Sequence, residues 1–310
     1  SDDREIPNSQ TAMDSVFAWF QGLGSASELQ TFDVPEGTGK RQIKIIPALS
    51  DNYMYLIINT GTKEAVAVDP VESSKILQLC NSLEVKLVTV LTTLYHSDHS
   101  GGNAELAAAV PGVEVVAGHK DADRTPAVTR RVEDGESCSF AGLPFRCLTT
   151  PCHTRGHVSF VLEGESPALF CGDTLFVAGC GRFMEGTPAS MKASLAKLSQ
   201  LPTTTRIFCG HEYTVGNLEY ALSLEPSNTL LQKRLSEAKE KRERKVPTIP
   251  STMAEELEHN VFLRASRADV PDEEMGKLRR GKDTFTPIGA LITMALDVKG
   301  YFKAEDQGEP

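Results

Sequence analysis

The chain has no run of about 18 apolar residues, so no transmembrane helix is expected. Its first residues, Ser1 to Glu5, lack the basic start and apolar stretch of a secretion signal, and Arg-rich transit character is missing too. A cytoplasmic location is the expectation, with the mitochondrion as the alternative. Close CxxC pairs are absent among the seven cysteines (Cys80, Cys138, Cys147, Cys152, Cys171, Cys180, Cys209). That odd count reads as reduced, mostly buried thiols rather than a disulfide framework. Basic excess is absent as well: 32 Lys and Arg face 42 Asp and Glu, a formal net charge of -10. Such a balance disfavours nucleic acid, which needs a basic footprint. A small anionic substrate then requires a local cluster of cations. No nucleic-acid or membrane partner is expected, and the chain is read as a monomer.

What is present is an ordinary globular composition, 40% hydrophobic and 24% charged, enough for one large domain or two smaller ones. Residues 1–38 read as an extension in which Met13, Val16, Phe17 and Phe20 fall at helical spacing. From Gln42 short β-type runs follow one another: Ile43 to Ile46, Tyr53 to Ile58, Ala65 to Val68 and Leu87 to Leu91, with a helix over Ser73 to Ser82. Further strands are expected at Val113 to Ala117, Ser139-Phe140, Phe145 to Thr149, Val158 to Leu162, Ala168 to Cys171 and Arg206 to Cys209, with a helix over Ser190 to Gln200. After Gly210 the β signal disappears. Leu218 to Leu224, Thr229 to Lys245, Met253 to His259 and Pro287 to Tyr301 read as helices. The pattern predicts an α+β protein, an αββα sandwich over residues 39–211 followed by a helical part and tail over 212–310.

One stretch has few structural explanations. Between the strand ending at Leu91 and a helix opening at Glu105, the loop carries His96-Ser97-Asp98-His99. Two imidazoles and a carboxylate within four residues are the ligands of zinc and other borderline divalent ions. Three more ligand-type residues stand where apolar runs stop: His153 after Thr150-Pro151-Cys152, Asp173 after Cys171-Gly172, and His211 after Cys209-Gly210. Four ligand-bearing loops at strand ends point to one site along a sheet edge.

These segments, with Gly172-Asp173-Thr174-Leu175-Phe176 and its continuation Ala178-Gly179-Cys180-Gly181-Arg182-Phe183, and with Gly210-His211-Glu212-Tyr213, resemble the metallo-β-lactamase superfamily. More narrowly they resemble glyoxalase II, the hydroxyacylglutathione hydrolases, from about Ile43 to Phe285. The resemblance implies hydrolysis of S-2-hydroxyacylglutathione thioesters, such as S-lactoylglutathione, to a 2-hydroxy acid and glutathione. It implies two divalent ions, zinc first and iron or manganese as alternatives, sharing Asp173. The first would take His96, His153 and Asp173; the second would take Asp98, His99, His211 and Asp173. Asp98 and Asp173 are the implied catalytic carboxylates, and an activated water makes a Ser or Cys nucleophile unnecessary. Arg182, Phe183, Met184, Tyr213, Arg279 and Lys282 match substrate-contacting positions, Met184 standing where an aromatic polar residue is common. His157 is expected to support or pack, and His119 and His259 are read as surface histidines.

The chain departs from the family at one ligand. The family pattern Thr-His-x-His-x-Asp-His is here Thr93-Leu94-Tyr95-His96-Ser97-Asp98-His99. An isobutyl group has no lone pair, so the first ion keeps three protein ligands, and a weakened first site with reduced hydrolysis is expected. The alternative is a weak or inactive relative that binds a glutathione adduct or a protein partner. A single-iron sulfur dioxygenase would need the histidine that Leu94 replaces, and a β-lactamase or nuclease does not fit the Arg279-Arg280-Gly281-Lys282 segment.

Overall fold

The computed structural model describes residues 31–34 and 41–286, which fall in one compact unit beginning at Thr31. The helices expected near Met13 to Phe20 and over Pro287 to Tyr301 lie outside the described residues.

The first sheet has seven strands in sequence order: β1 (Phe32–Val34), β2 (Arg41–Ala48), β3 (Asn52–Asn59), β4 (Glu64–Val68), β5 (Lys86–Thr92), β6 (Glu114–Gly118) and β7 (Arg130–Val132). It is antiparallel from β1 to β4 and parallel from β4 to β7. Helix α1 (Ser73–Ser82) crosses from β4 to β5, while the one-turn α2 (Ser97–Ser100) and α3 (Asn103–Ala109) cross from β5 to β6. The second sheet is built from β8 (Ser137–Phe140), β9 (Leu143–Thr149), β10 (Val158–Leu162), β11 (Ala168–Gly172), β14 (Arg206–Cys209) and β15 (Ser251–Thr252), in spatial order β15-β14-β11-β10-β9-β8. A small hairpin, β12 (Leu175–Phe176) with β13 (Gly179–Cys180), follows β11. The remaining helices are α4 (Pro188–Leu198), α5 (Thr214–Leu224), α6 (Thr229–Glu243), α7 (Met253–His259), α8 (Val261–Ala265) and α9 (Asp272–Thr284).

Period-two alternation explains the layers. Every residue of β3 is buried. Tyr53, Tyr55 and Ile57 enter the core between the sheets, whereas Met54, Leu56 and Ile58 are buried on the opposite face, where Glu72 at the start of α1 meets the Met54 sulfur. The two sheets meet through rings. Tyr55 stands edge-on to Phe170 at 5.3 Å and to Phe208 at 5.5 Å, and Phe170 stacks on Phe208 at 5.1 Å. Helix α4 closes the other side of the second sheet with Met191, Leu195 and Leu198. The architecture is the expected αββα sandwich followed by helices. Phe208 has no exposed surface, so Phe208→Ala should lower unfolding stability by about 3–5 kcal/mol in a denaturant titration. A loss below about 1 kcal/mol would mean that this ring cluster does not hold the sheets together.

Three local expectations need correction. Phe32–Val34, assigned to the extension, pairs with Ile43 to Ile45 as the edge strand of the first sheet. The β structure does not end at Gly210, because Ser251 and Thr252 pair antiparallel with β14. The loop after β5 is wound into α2, which carries Asp98 and His99. Strands of two or three residues are set by their partners and leave no periodicity to detect.

Topology gathers the ligands. Parallel strands point their carboxyl ends the same way, and open α/β sheets place their sites there. Asp69 follows β4, His96 to His99 follow β5, Asp173 follows β11 and His211 follows β14. The sheets are tied along this edge by backbone bonds from Tyr53 N–H to Gly210 O (2.8 Å), Glu212 N–H to Asp51 O (2.8 Å) and Val158 N–H to Thr93 O (2.9 Å).

Candidate metal centre and active site

The six expected ligands converge. Asp173 faces two ways: Oδ1 lies 3.4 Å from His99 Nε2 and 3.5 Å from His211 Nε2, while Oδ2 lies 3.4 Å from His153 Nε2. Asp98 Oδ2 completes one side at 3.6 Å from His99 Nε2 and 3.4 Å from His211 Nε2. His96 completes the other, its Nδ1 3.2 Å from His153 Nε2. Among the described residues, Asp98, His99 and His211 form a group whose donor atoms all lie within 4.8 Å of one another. Nitrogen and oxygen donors about 2.1 Å from a tetrahedral ion stand roughly 3.4 Å apart, which these separations match.

Three of the four rings are aimed from behind. Asp69 accepts from Thr93 N–H (2.8 Å) and Thr93 Oγ1 (2.6 Å) and faces His99 Nδ1 at 3.0 Å. Asp51 faces His211 Nδ1 at 2.8 Å, and the Arg182 carbonyl faces His153 Nδ1 at 3.1 Å. A proton on Nδ1 leaves the Nε2 lone pair directed into the centre. His157 is fully buried, and burial pushes its pKa down to about 3, so it is neutral. Its Nε2 accepts the Asp173 N–H at 3.1 Å, which fixes the shared carboxylate from its own backbone. Gly172 lies between them at φ +43°, where a Cβ would stand 2.8 Å from His157 Nε2.

The charge balance matches a cation. Burial opposes ionisation of Asp173, but His99 and His211 outweigh it and hold its pKa well below the carboxylate range. The His211 imidazole likewise lowers Asp98. Burial opposes charge on His99 and His211, yet the carboxylates raise the former well above its usual value and the latter to about 10. His96 moves the other way, lowered by burial and by His153. The half containing Asp98, His99 and His211 gathers two carboxylate oxygens, the His96–His153 half only one. His99 Nε2 and Asp173 Oδ1, although 3.4 Å apart, are buried without a hydrogen-bond partner. Orphaned buried polar atoms of this kind need a ligand, and the donor set fits divalent cations. Leu94, 1% exposed, sits beside this centre in sequence and supplies no donor.

A cleft of about 620 Å³ adjoins the centre, lined by His153, Asp173, Arg182, Tyr213, Arg279 and Lys282 among others. The Tyr213 ring stacks on His211 at 4.8 Å and 4°, and burial pushes its phenol up to about 12. Arg279 is buried, bonded to Cys180 O at 2.8 Å and paired with Asp283 at 2.9 Å. Phe183 instead packs half-buried against the core, and Met184 is 61% exposed; neither lines the cleft. All seven cysteines are free and six are buried. His119 is exposed as expected, but the His259 side chain is only 12% exposed and is not a surface group. Sequence reasoning did not identify Asp51 and Asp69 as supporting carboxylates, nor Asn52, whose Nδ2 donates to the Asp98 carbonyl at 3.0 Å.

The metallo-beta-lactamase superfamily model matches residues 52–211, and the model of the hydroxyacylglutathione hydrolase C-terminus matches residues 212–285. Solved structures under 25% identical share the fold: a B3 metallo-beta-lactamase (TM-score 0.56, 22% identity, 71% of this chain and 99% of that one) and a metallo-beta-lactamase from Staphylococcus aureus (TM-score 0.55, 20% identity, 82% and 72%). Among curated proteins, the chain is 43% identical over 251 residues to the cytoplasmic hydroxyacylglutathione hydrolase of Arabidopsis thaliana (77% of this chain, 96% of that protein). It is 44% identical over 252 residues to the hydroxyacylglutathione hydrolase of a Synechocystis species (77% and 98%). The chain belongs to the hydroxyacylglutathione hydrolase family of the metallo-beta-lactamase superfamily. No helix of the described residues is long and apolar enough to cross a membrane.

Proposed function

We propose that the chain hydrolyses S-2-hydroxyacylglutathiones, with S-lactoylglutathione as the reference substrate, to a 2-hydroxy acid and glutathione. The observation that carries this is the two-sided Asp173 carboxylate opening onto a cleft lined by Arg182, Arg279 and Lys282. His96, His153 and Asp173 would hold one divalent ion, and Asp98, His99, His211 and Asp173 the other, with zinc the best match to neutral imidazole and carboxylate donors. Ions so held would supply Lewis acidity, of the kind that brings a water's pKa to roughly 7. Asp98, whose side chain is 38% exposed, is the centre's carboxylate with access to solvent and, staying ionised, would orient the attacking water by accepting its hydrogen bond. The thiolate leaves unaided because thiols are fairly acidic. Tyr213 keeps its phenolic proton and can donate it to the substrate. Phe183 and Met184 are given no contact. Residues 39–211 thus supply the ligands, and 212–310 supply Tyr213, Arg279 and Lys282. The cytoplasmic relative supports a cytoplasmic site of action.

The test is on Lys282. Burial and the neighbouring Arg279 push its ammonium down to about 8. It is charged below that pH and neutral above it, so KM for S-lactoylglutathione should rise as pH passes 8 while kcat holds. Lys282→Met should raise KM at pH 7 about 10-fold, the loss of one charge-assisted bond, and abolish the rise above pH 8. An unchanged KM profile in the variant would remove Lys282 from substrate binding. Absence of thioester turnover in the zinc-loaded protein would remove the proposed activity.

A further inference from the structure

Three histidines of the centre are braced by oxygen: His99 by Asp69, His211 by Asp51 and His153 by the Arg182 carbonyl. His96 is not. Among the described residues its ring makes one hydrogen-bond contact, to His153. What it has instead is Tyr95, whose ring meets it edge-on at 4.7 Å. Tyr95 is itself clamped: the Arg124 guanidinium lies 3.5 Å over its ring, and its hydroxyl donates to Glu185 Oε1 at 2.9 Å. Arg124 Nη2 donates to that same oxygen at 2.6 Å. The other oxygen, Oε2, accepts the Arg155 N–H at 2.8 Å, and the Glu185 N–H donates to the Cys152 carbonyl at 3.1 Å.

Cys152 and Arg155 bracket His153, and Tyr95 adjoins His96. One acidic residue, its side chain 17% exposed, therefore grips both loops that present the His96–His153 edge. We infer that Glu185 is a positioning residue that sets His96 against His153, acting through Tyr95 and the His153 loop. It does for this half of the centre what Asp69 and Asp51 do for the other. The half in question is also the one that Leu94 deprives of a donor, so the orientation of the two remaining rings decides whether an ion is retained. This inference rests on the two-cation reading above.

The test compares Glu185→Ala, Glu185→Gln, Tyr95→Phe and His96→Ala by zinc titration against a chelator, with kcat and KM on the same samples. Loss of outer support around metal ligands typically costs 10–100-fold in affinity. Glu185→Ala should weaken the looser zinc by that factor, leave the tighter zinc within about twofold, and lower kcat with KM unchanged. Glu185→Gln keeps one acceptor oxygen, for the Arg155 N–H, and turns its NH₂ toward the Tyr95 hydroxyl, which can accept it in place of the Arg124 contact; it should recover part of the loss. Should Glu185→Ala fail to fold, Tyr95→Phe carries the test, because it removes one bond and keeps the ring; its looser zinc should weaken several-fold. Equal weakening of both ions, no weakening of either, or a glutamine variant no better than alanine would overturn the role of Glu185. His96→Ala separates the two ideas. It should eliminate the looser zinc, and if both ions survive it, the ligand assignment itself fails.

Discussion

Leu94→His is expected to raise zinc content from about one ion per chain to two, and to raise S-lactoylglutathione turnover at least 10–100-fold. The physical case is a donor count. The half of the centre holding Asp98, His99 and His211 shares Asp173 and has two anionic oxygens and two imidazoles. The other half has His96 and His153 with only the second Asp173 oxygen. An imidazole at position 94, two residues before His96, would be that half's fourth donor. Leu94 is 1% exposed, so the substitution also exchanges a buried hydrocarbon for a polar ring. Without an ion to bind, that ring should lower stability by about 1–3 kcal/mol. Thermal unfolding therefore gives a second reading: zinc should stabilise the variant by more than it stabilises the parent protein. Equal metal content and equal turnover in both forms would show that position 94 is not directed at the centre.

Asp173→Asn should do the most damage of any single change. Its carboxylate presents one oxygen to His99 and His211 and the other to His153. An amide supplies one neutral oxygen and turns an NH₂ group toward the opposite imidazole, so one half of the centre receives a donor where it needs an acceptor. Zinc should no longer be retained in either half, with hydrolysis reduced on the order of 10²–10³, the worth of electrostatic stabilisation at one such position. The fold should survive, because Asp69, Asp51 and the Arg182 carbonyl still hold the rings. Metal analysis and turnover, with far-ultraviolet circular dichroism as the folding control, decide it. A variant that keeps the parent protein's zinc content would show that Asp173 does not hold the metal.

The residues proposed as ligands stand out in the sequence because each follows an apolar run that stops abruptly, and because His96, Asp98 and His99 crowd into four residues. The residues that aim them do not. Asp69 reads as a strand terminator and Asp51 as a turn residue until the fold brings them to His99, 30 positions away, and His211, 160 positions away. Helix α9 leaves only a faint mark within the expected helical part, for another reason. Its sequence, DEEMGKLRRGKDT, offers only Met275 and Leu278 as apolar markers, while Arg279 is held inside by the Cys180 carbonyl and Asp283. Phe183 shows the limit of matching by position alone. It stands in a motif associated with substrate contact, yet its ring is used to pack the core.

The backbone bonds between the sheets at Tyr53–Gly210, Glu212–Asp51 and Val158–Thr93 have a meaning for assembly. His96, Asp98 and His99 are delivered by the first sheet, and His153, Asp173 and His211 by the second, so neither half of the chain owns a complete set of donors. A cation held between them would be a rivet through a seam. Its binding free energy is also free energy for joining the two sheets, and the centre cannot exist before the halves have met.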